Sequence, residues 1–351
     1  MGGKLACSKP TCKYELLFLG PDAGMASQST ARAFWVTRPG HGETRTVELR
    51  PPESGEARVR TLYSAISRGT ESLVFDGLIP ESEYARMRAP FQEGDFPGPV
   101  KYGYINVGVV EAGPAELLDR PVFCLFPHQT NYNAPVAALY PLPGGVPPHR
   151  AVLAANLETA LNSLWDAAIK PRSRLTIIGA GAVGSLCAWL AAKLYAADVE
   201  LVDIDESRAP IASALGARFA RPEEARLGAT KIIHSSGSGS GLATALGIAG
   251  FEALIVEVSW YGNKPVSISL GQSFHSQRLT IRASQVGHVA TSHRGHFTLR
   301  SRMEYCLRLL ADPVLDMLIN AEDRFEDLPT VMQEHAAGKR RSICHRITYD
   351  N

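Results

Sequence analysis

The chain has 351 residues, 45% of them hydrophobic, and a formal net charge of +1. That length exceeds one compact core and implies two domains, while balanced charge without a long basic run excludes a nucleic-acid partner. No stretch reaches the roughly 20 apolar residues of a membrane-crossing helix, and six dispersed cysteines without a CxxC pair fit a reduced, cytoplasmic protein.

Residues 1–29 carry one short apolar run, Leu16-Leu17-Phe18-Leu19, too short for a signal-peptide core. They are predicted to be a poorly ordered extension, with Met25 a candidate native start. Residues 30–154 read as short strands broken by Gly and Pro, at 31–36, 58–62, 104–111 and 122–126, which predicts a β-rich domain. The pattern changes near 151. Apolar residues at helical spacing predict a helix over 151–168, then a strand over 174–179. A helix over 183–196 follows, with Val183, Leu186, Leu190 and Leu194 on one face. Next come a strand at 199–203 and a helix introduced by Asp205 or Ser207, with Pro210 in its first turn and an end near Gly216. Strands at 231–234, 253–258 and 279–283 complete an alternation that implies an α/β fold with a doubly wound parallel sheet over 155–290. Residues 291–351 are expected to return to the first domain through a helical region and a terminal strand.

The strand at 174–179 runs into Gly179-Ala180-Gly181-Ala182-Val183-Gly184. Each glycine has a physical task at such a corner. Gly179 permits the tight turn, Gly181 lets a diphosphate approach the backbone, and Gly184 lets helix and strand pack closely. The helix start then offers free N–H groups and a positive dipole end to an anion. Asp203 lies 19 residues after Gly184, at the tip of the next strand, where a carboxylate accepts from adenosine ribose hydroxyls and repels a 2′-phosphate. This predicts NAD over NADP. Arg208 is close in sequence, and an arginine can receive a 2′-phosphate.

From Ile178 through Arg208, and on through Leu215-Gly216-Ala217, the chain resembles the medium-chain dehydrogenase/reductases. The resemblance covers about 31–349 and implies a GroES-like β-rich domain joined to a Rossmann domain. In zinc-dependent members a Cys, a His and a Cys or Glu hold the catalytic metal. At the matching positions this chain has Ser67 (in Ser64-Ala65-Ile66-Ser67-Arg68-Gly69-Thr70-Glu71), Tyr104 (in Gly103-Tyr104-Ile105-Asn106-Val107-Gly108) and, close by, Ala155. A hydroxyl, a phenol and a methyl group do not make a zinc site, and no metal is expected. The Ser67 turn and Val258-Ser259-Trp260-Tyr261-Gly262 resemble most the zinc-free subgroup typified by bacteriochlorophyllide hydroxyethyl dehydrogenase, which implies oxidation of a secondary alcohol with NAD.

Without zinc, side chains must handle the hydroxyl proton. Tyr104 is the first candidate, with Lys101 as a cation that would lower its pKa; the alternative is that it fills the space of the metal. Ser67 and Thr70 are candidates to bond substrate or the nicotinamide ribose, and Glu71 is a candidate base, though more readily a solvated or ion-paired carboxylate. The resemblance adds Thr159, Ser259, Ser284 and Gln285 to the nicotinamide pocket, while Ala182, Val183 and Arg208 join the cofactor set. His128 and His275 are weaker proton-carrier candidates, and Trp260 and Tyr261 are candidate pocket walls. The expected activity is hydride transfer between NAD(H) and a secondary alcohol or ketone, a small-molecule substrate, in a homodimer. A quinone or enoyl reductase using NAD(P)H, and a non-catalytic dinucleotide-binding protein, are the alternatives.

Overall fold

The computed structural model describes residues 29–350. The expectations for the N-terminal extension, the Met25 start, Cys7 and Cys12 lie outside the described residues, except that Ser29 already opens the first strand, Ser29–Arg38.

The fold class is the one expected, α/β with a Rossmann doubly wound sheet and a GroES-like β-rich unit. The β-rich unit has a sheet ordered Ile319–Arg324, Cys344–Thr348, Glu56–Ile66, Asn106–Ala112, Pro121–Cys124, Tyr140–Pro141, with Asn131–Pro135 also paired to Glu56–Ile66. A smaller sheet holds His41–Leu49, Ser29–Arg38, Val100–Lys101 and Glu93–Gly94. The last strand, Cys344–Thr348, pairs antiparallel with Glu56–Ile66, placing His345 opposite Ile66. The helix Leu328–Ala336 precedes it and buries Leu328, Val331 and Met332 in a core with Phe34, Val74 and Phe75.

The second unit is a six-stranded parallel sheet ordered 217–220, 198–202, 174–178, 229–234, 249–257, 280–283. The chain winds outward from 174–178 to 217–220, then crosses back to 229–234 on the other side. That reversal leaves a crevice at the carboxyl ends of Arg174–Ile178 and Ala229–His234, the place where open α/β sheets take ligands. Strand Ala217–Ala220 was not anticipated. Its four residues, Ala-Arg-Phe-Ala, carry no alternation, and pairing with Asp198–Val202 defines it.

The expected long helix from 151 is two pieces, Pro148–Ala151 and Ala154–Ala167, broken at Val152 and Leu153. The second piece is buried nearly all round because it lies between the sheet, the helix Ala182–Tyr195 and the helix Leu299–Leu309. An all-round apolar surface is what such a position requires. In Ala182–Tyr195 the buried face holds Leu186 and Leu190, but Leu194 in the last turn is 37% exposed, contrary to the expected stripe.

Candidate functional site

At two positions of the glycine corner a side chain would collide or strain. Gly179 has φ +104°, and a Cβ there would stand 2.7 Å from Ser236 Cα. A Cβ on Gly184 would lie 1.8 Å from the Gly179 carbonyl oxygen, since the first turn of Ala182–Tyr195 sits directly on the strand end. Gly181 differs: a Cβ there meets nothing within 4 Å, so its bare face is turned to open space. Gly179, Ala180 and Gly181 line a crevice of about 750 Å³ between the two units; Ala182, Val183 and Gly184 begin the helix behind them and are not among its lining residues.

Asp203 also lines the crevice, directly after strand Asp198–Val202. Its Oδ2 accepts the Ala180 N–H at 2.6 Å and its Oδ1 the Asp205 N–H at 2.9 Å. The carboxylate is thereby fixed beside the glycine loop, and each oxygen retains a lone pair. Arg208 lines the same region. Its guanidinium donates to the Arg341 carbonyl and pairs with Asp205 at 3.3 Å, so it clasps the C-terminal segment of the other unit.

The opposite wall comes from the β-rich unit. Helix Arg68–Phe75 contributes Arg68, Gly69, Ser72 and Leu73, and the segment after helix Leu328–Ala336 contributes Arg340, Arg341 and Ser342. Burial, and then the neighbouring Arg208, push the Arg68 guanidinium pKa down, while Asp203 opposes. The crevice thus sets arginines across from a glycine-lined helix start. Two buried polar atoms on this wall, Ser72 Oγ and His335 Nδ1, have no hydrogen-bond partner among the described residues. The open face of Gly181, the arginines and these orphaned atoms fit a nicotinamide dinucleotide, which carries both phosphates and hydroxyls.

Ser67, Thr70 and Tyr104 form a second group that is not among the crevice-lining residues. The Tyr104 hydroxyl donates to Ser67 Oγ at 2.6 Å. Burial and then Glu71 push the phenol pKa up to about 12, with Ser67 and Thr70 opposing. This corrects the expectation that Lys101 lowers it. Lys101 is turned away, buried, bonded to Glu93 and Gln129 and stacked over Phe126. Glu71 is not solvated. It is 3% exposed, accepts the Ser67 N–H at 2.8 Å and meets His128 Nε2 at 2.9 Å; His128 Nδ1 then meets Ser64 Oγ at 2.7 Å, and Ser64 meets the Tyr349 hydroxyl at 2.9 Å.

The remaining expected residues are dispersed. Thr159 donates to the Ala155 carbonyl within its own helix, and Ser284 donates to Asp166. Ser259 accepts the Gly237 N–H, and its own N–H donates to Glu257. Trp260 and Tyr261 line the crevice, whereas Gln285 and His275 do not. Gln285 accepts the Gly287 N–H. Sequence reading missed the run Ser235-Ser236-Gly237-Ser238 at the end of strand Ala229–His234, all four of which line the crevice. It also missed His234, which meets Glu257 at 2.8 Å and Ser236 Oγ at 2.6 Å. A second strand followed by a Ser/Gly-rich helix start was the available signal. Among the described residues no group of three or more His, Cys, Asp or Glu side chains could hold a metal, and no helix is long and apolar enough to cross a membrane.

No protein-family model matches the chain. An uncharacterized zinc-type alcohol dehydrogenase-like protein of Haemophilus influenzae is 42% identical over 82 residues, 23% of this chain and 24% of that protein. The chain is therefore matched to only about a quarter of that relative's length. Among solved structures, a short chain alcohol dehydrogenase of E. coli CFT073 complexed with NADH has a TM-score of 0.70 at 15% identity, covering 91% of this chain and 99% of that one. A putative zinc-binding dehydrogenase of Sinorhizobium meliloti 1021 bound to NADP has a TM-score of 0.71 at 16% identity, covering 92% and 100%. These chains share the two-unit architecture over nearly their whole lengths.

Proposed function

We propose that this chain is an oxidoreductase of the medium-chain dehydrogenase type, transferring a hydride between NAD(H) and a secondary alcohol or ketone of a small metabolite without zinc. The observation that carries this reading is the crevice itself: a glycine-lined helix start and Asp203 on one wall face Arg68, Arg340 and Arg341 on the other. The chains that share the fold include one bound to NADH and one bound to NADP, which supports a nicotinamide dinucleotide as ligand.

In this reading the backbone around Gly179–Gly181 and the helix start hold the diphosphate, and the arginines neutralise its charge. Asp203 accepts from the adenosine ribose. Ala182, Val183 and Gly184 act through the helix start, whereas Thr159, Ser259 and Ser284 are not among the crevice-lining residues and carry no part of this reading. When bound, the nicotinamide ring accepts or releases the hydride. Around the reacting carbon the chain offers Tyr104, Ser67 and Thr70. A phenol titrating near 12 stays protonated at neutral pH, so Tyr104 is a hydrogen-bond donor rather than a resident base. Its hydrogen bond goes to Ser67 Oγ at 2.6 Å, which leaves the Ser67 hydroxyl to donate to a substrate oxygen; in alcohol oxidation the proton released from the substrate passes to solvent water. At the three family zinc-ligand positions stand Ser67, Tyr104 and Ala155, whose atoms give the metal no thiolate, imidazole or carboxylate. The exposed edge strand Thr280–Ala283 supports a homodimer formed by strand pairing.

One observation favours a second reading, a quinone or enoyl reductase that takes NADPH: Arg208, Arg341 and Asp203 all stand within electrostatic reach of Arg68, so arginines able to receive a 2′-phosphate gather on the Asp203 side of the crevice. Titrating the purified protein with NADH and NADPH, assaying a panel of secondary alcohols and ketones, and measuring bound zinc tests both. NADH affinity with metal-free turnover is the expected result. Preferential NADPH binding supports the reductase reading, and stoichiometric zinc or absent dinucleotide binding overturns the proposal.

A further inference from the structure

The crevice wall from the β-rich unit contains a relay of two buried histidines anchored on the half-buried Asp323. Asp323, ion-paired with Arg340, accepts from His345 Nε2 at 2.8 Å; His345 Nδ1 stands 2.8 Å from His335 Nε2; His335 lines the crevice and is 4% exposed. The relay fixes each ring. A carboxylate only accepts, so His345 carries its proton on Nε2 and has a bare Nδ1. That bare nitrogen takes the Nε2 proton of His335, which leaves His335 Nδ1 as a lone pair. Burial, then His345, Arg68 and Arg340, hold His335 down to about 4, against the pull of Asp323, so the ring is neutral at pH 7. Its Nδ1 is buried without a partner among the described residues, as is Ser72 Oγ on the facing helix.

A lone pair takes a donor. A phosphate ionised at neutral pH has little to donate, and the arginines already provide for phosphate. A sugar hydroxyl donates and accepts, which matches one bare acceptor and one unpartnered serine hydroxyl lining the same crevice. We propose that His335 and Ser72 form a ribose-hydroxyl subsite in the crevice, with the acceptor face of His335 locked by His345 and Asp323. This rests on the crevice taking a dinucleotide, and it assigns a recognition role to residues of the β-rich unit far from the glycine loop in sequence.

Calorimetric titration of the full chain with NADH, ADP and NMNH, for the native protein and for H335L, H335N and H345L, tests it. H335L is expected to weaken NADH binding about tenfold, the cost of one unmet buried hydrogen bond. H335N, which keeps an acceptor near the Nδ1 position, restores binding to within about threefold. H345L frees the His335 tautomer and falls between. A loss shared by ADP places the subsite at the adenosine ribose; a loss shared by NMNH places it at the nicotinamide ribose. Equal weakening by H335L and H335N with a lowered melting temperature means a packing role and overturns the subsite, as does native-like NADH affinity in H335L. If the native protein binds no dinucleotide, the functional reading itself falls and takes the subsite with it.

Discussion

The two walls of the crevice are built in opposite ways. On the Rossmann side the lining comes largely from strand ends, with Gly179–Gly181 and Asp203 all within 25 consecutive residues. There backbone forms the wall, and Gly179 cannot carry a side chain without colliding with Ser236. On the other side Arg68 and Ser72 meet His335, Arg340 and Arg341 from the far end of the chain. Those contacts are made by side chains whose proximity depends on strand Cys344–Thr348 returning to Glu56–Ile66. A wall made of backbone leaves a motif; a wall made of side chains from distant segments leaves none.

Substitutions can separate the two kinds of wall. The largest effect is expected at Gly184. In G184A the new methyl meets the Gly179 carbonyl at contact distance far below van der Waals, and unfolding free energy should fall by about 4 kcal/mol, read by denaturant titration. Next is Glu71 in the β-rich unit. E71A strands His128 Nε2 and the Ser67 N–H in a buried setting, and should cost about 3 kcal/mol. G181A reverses the pattern. With nothing within 4 Å of the new Cβ, the melting temperature should hold, while NADH affinity drops about tenfold because the diphosphate loses its close approach. If G181A melts early instead, the glycine is structural and the contrast fails. Smaller again is the effect of Y104F on pH dependence. The phenol titrates near 12, so this variant should lower turnover while leaving the shape of the rate profile between pH 6 and 10 unchanged; loss of an inflection in that window would show Tyr104 to be the base.

Much of the Rossmann unit was legible because its strands are long enough to show apolar runs and its corner needs glycine. The edge strand Ala217–Ala220 was not, since only its neighbour defines it. In the β-rich unit Tyr104 and Ser67 could be placed together by resemblance, but not the surroundings that set their chemistry. Lys101 and Tyr104 are three residues apart, yet the lysine points to Glu93 and Gln129. Glu71 and His128 are 57 residues apart and in contact. Sequence distance carried no information in either case, because strand pairing decides which side chains share an interior. The same holds for His335 and His345, joined only by the turn between helix and strand.

The Arg208 guanidinium, bonded to the Arg341 carbonyl across the gap, makes the crevice a latched mouth. If the crevice holds a dinucleotide as proposed, opening of that bond eases its release. In R208M the latch is gone, and stopped-flow displacement of bound NADH should run about threefold faster, with the equilibrium contacts of the glycine loop intact. An unchanged release rate would place the slow step elsewhere.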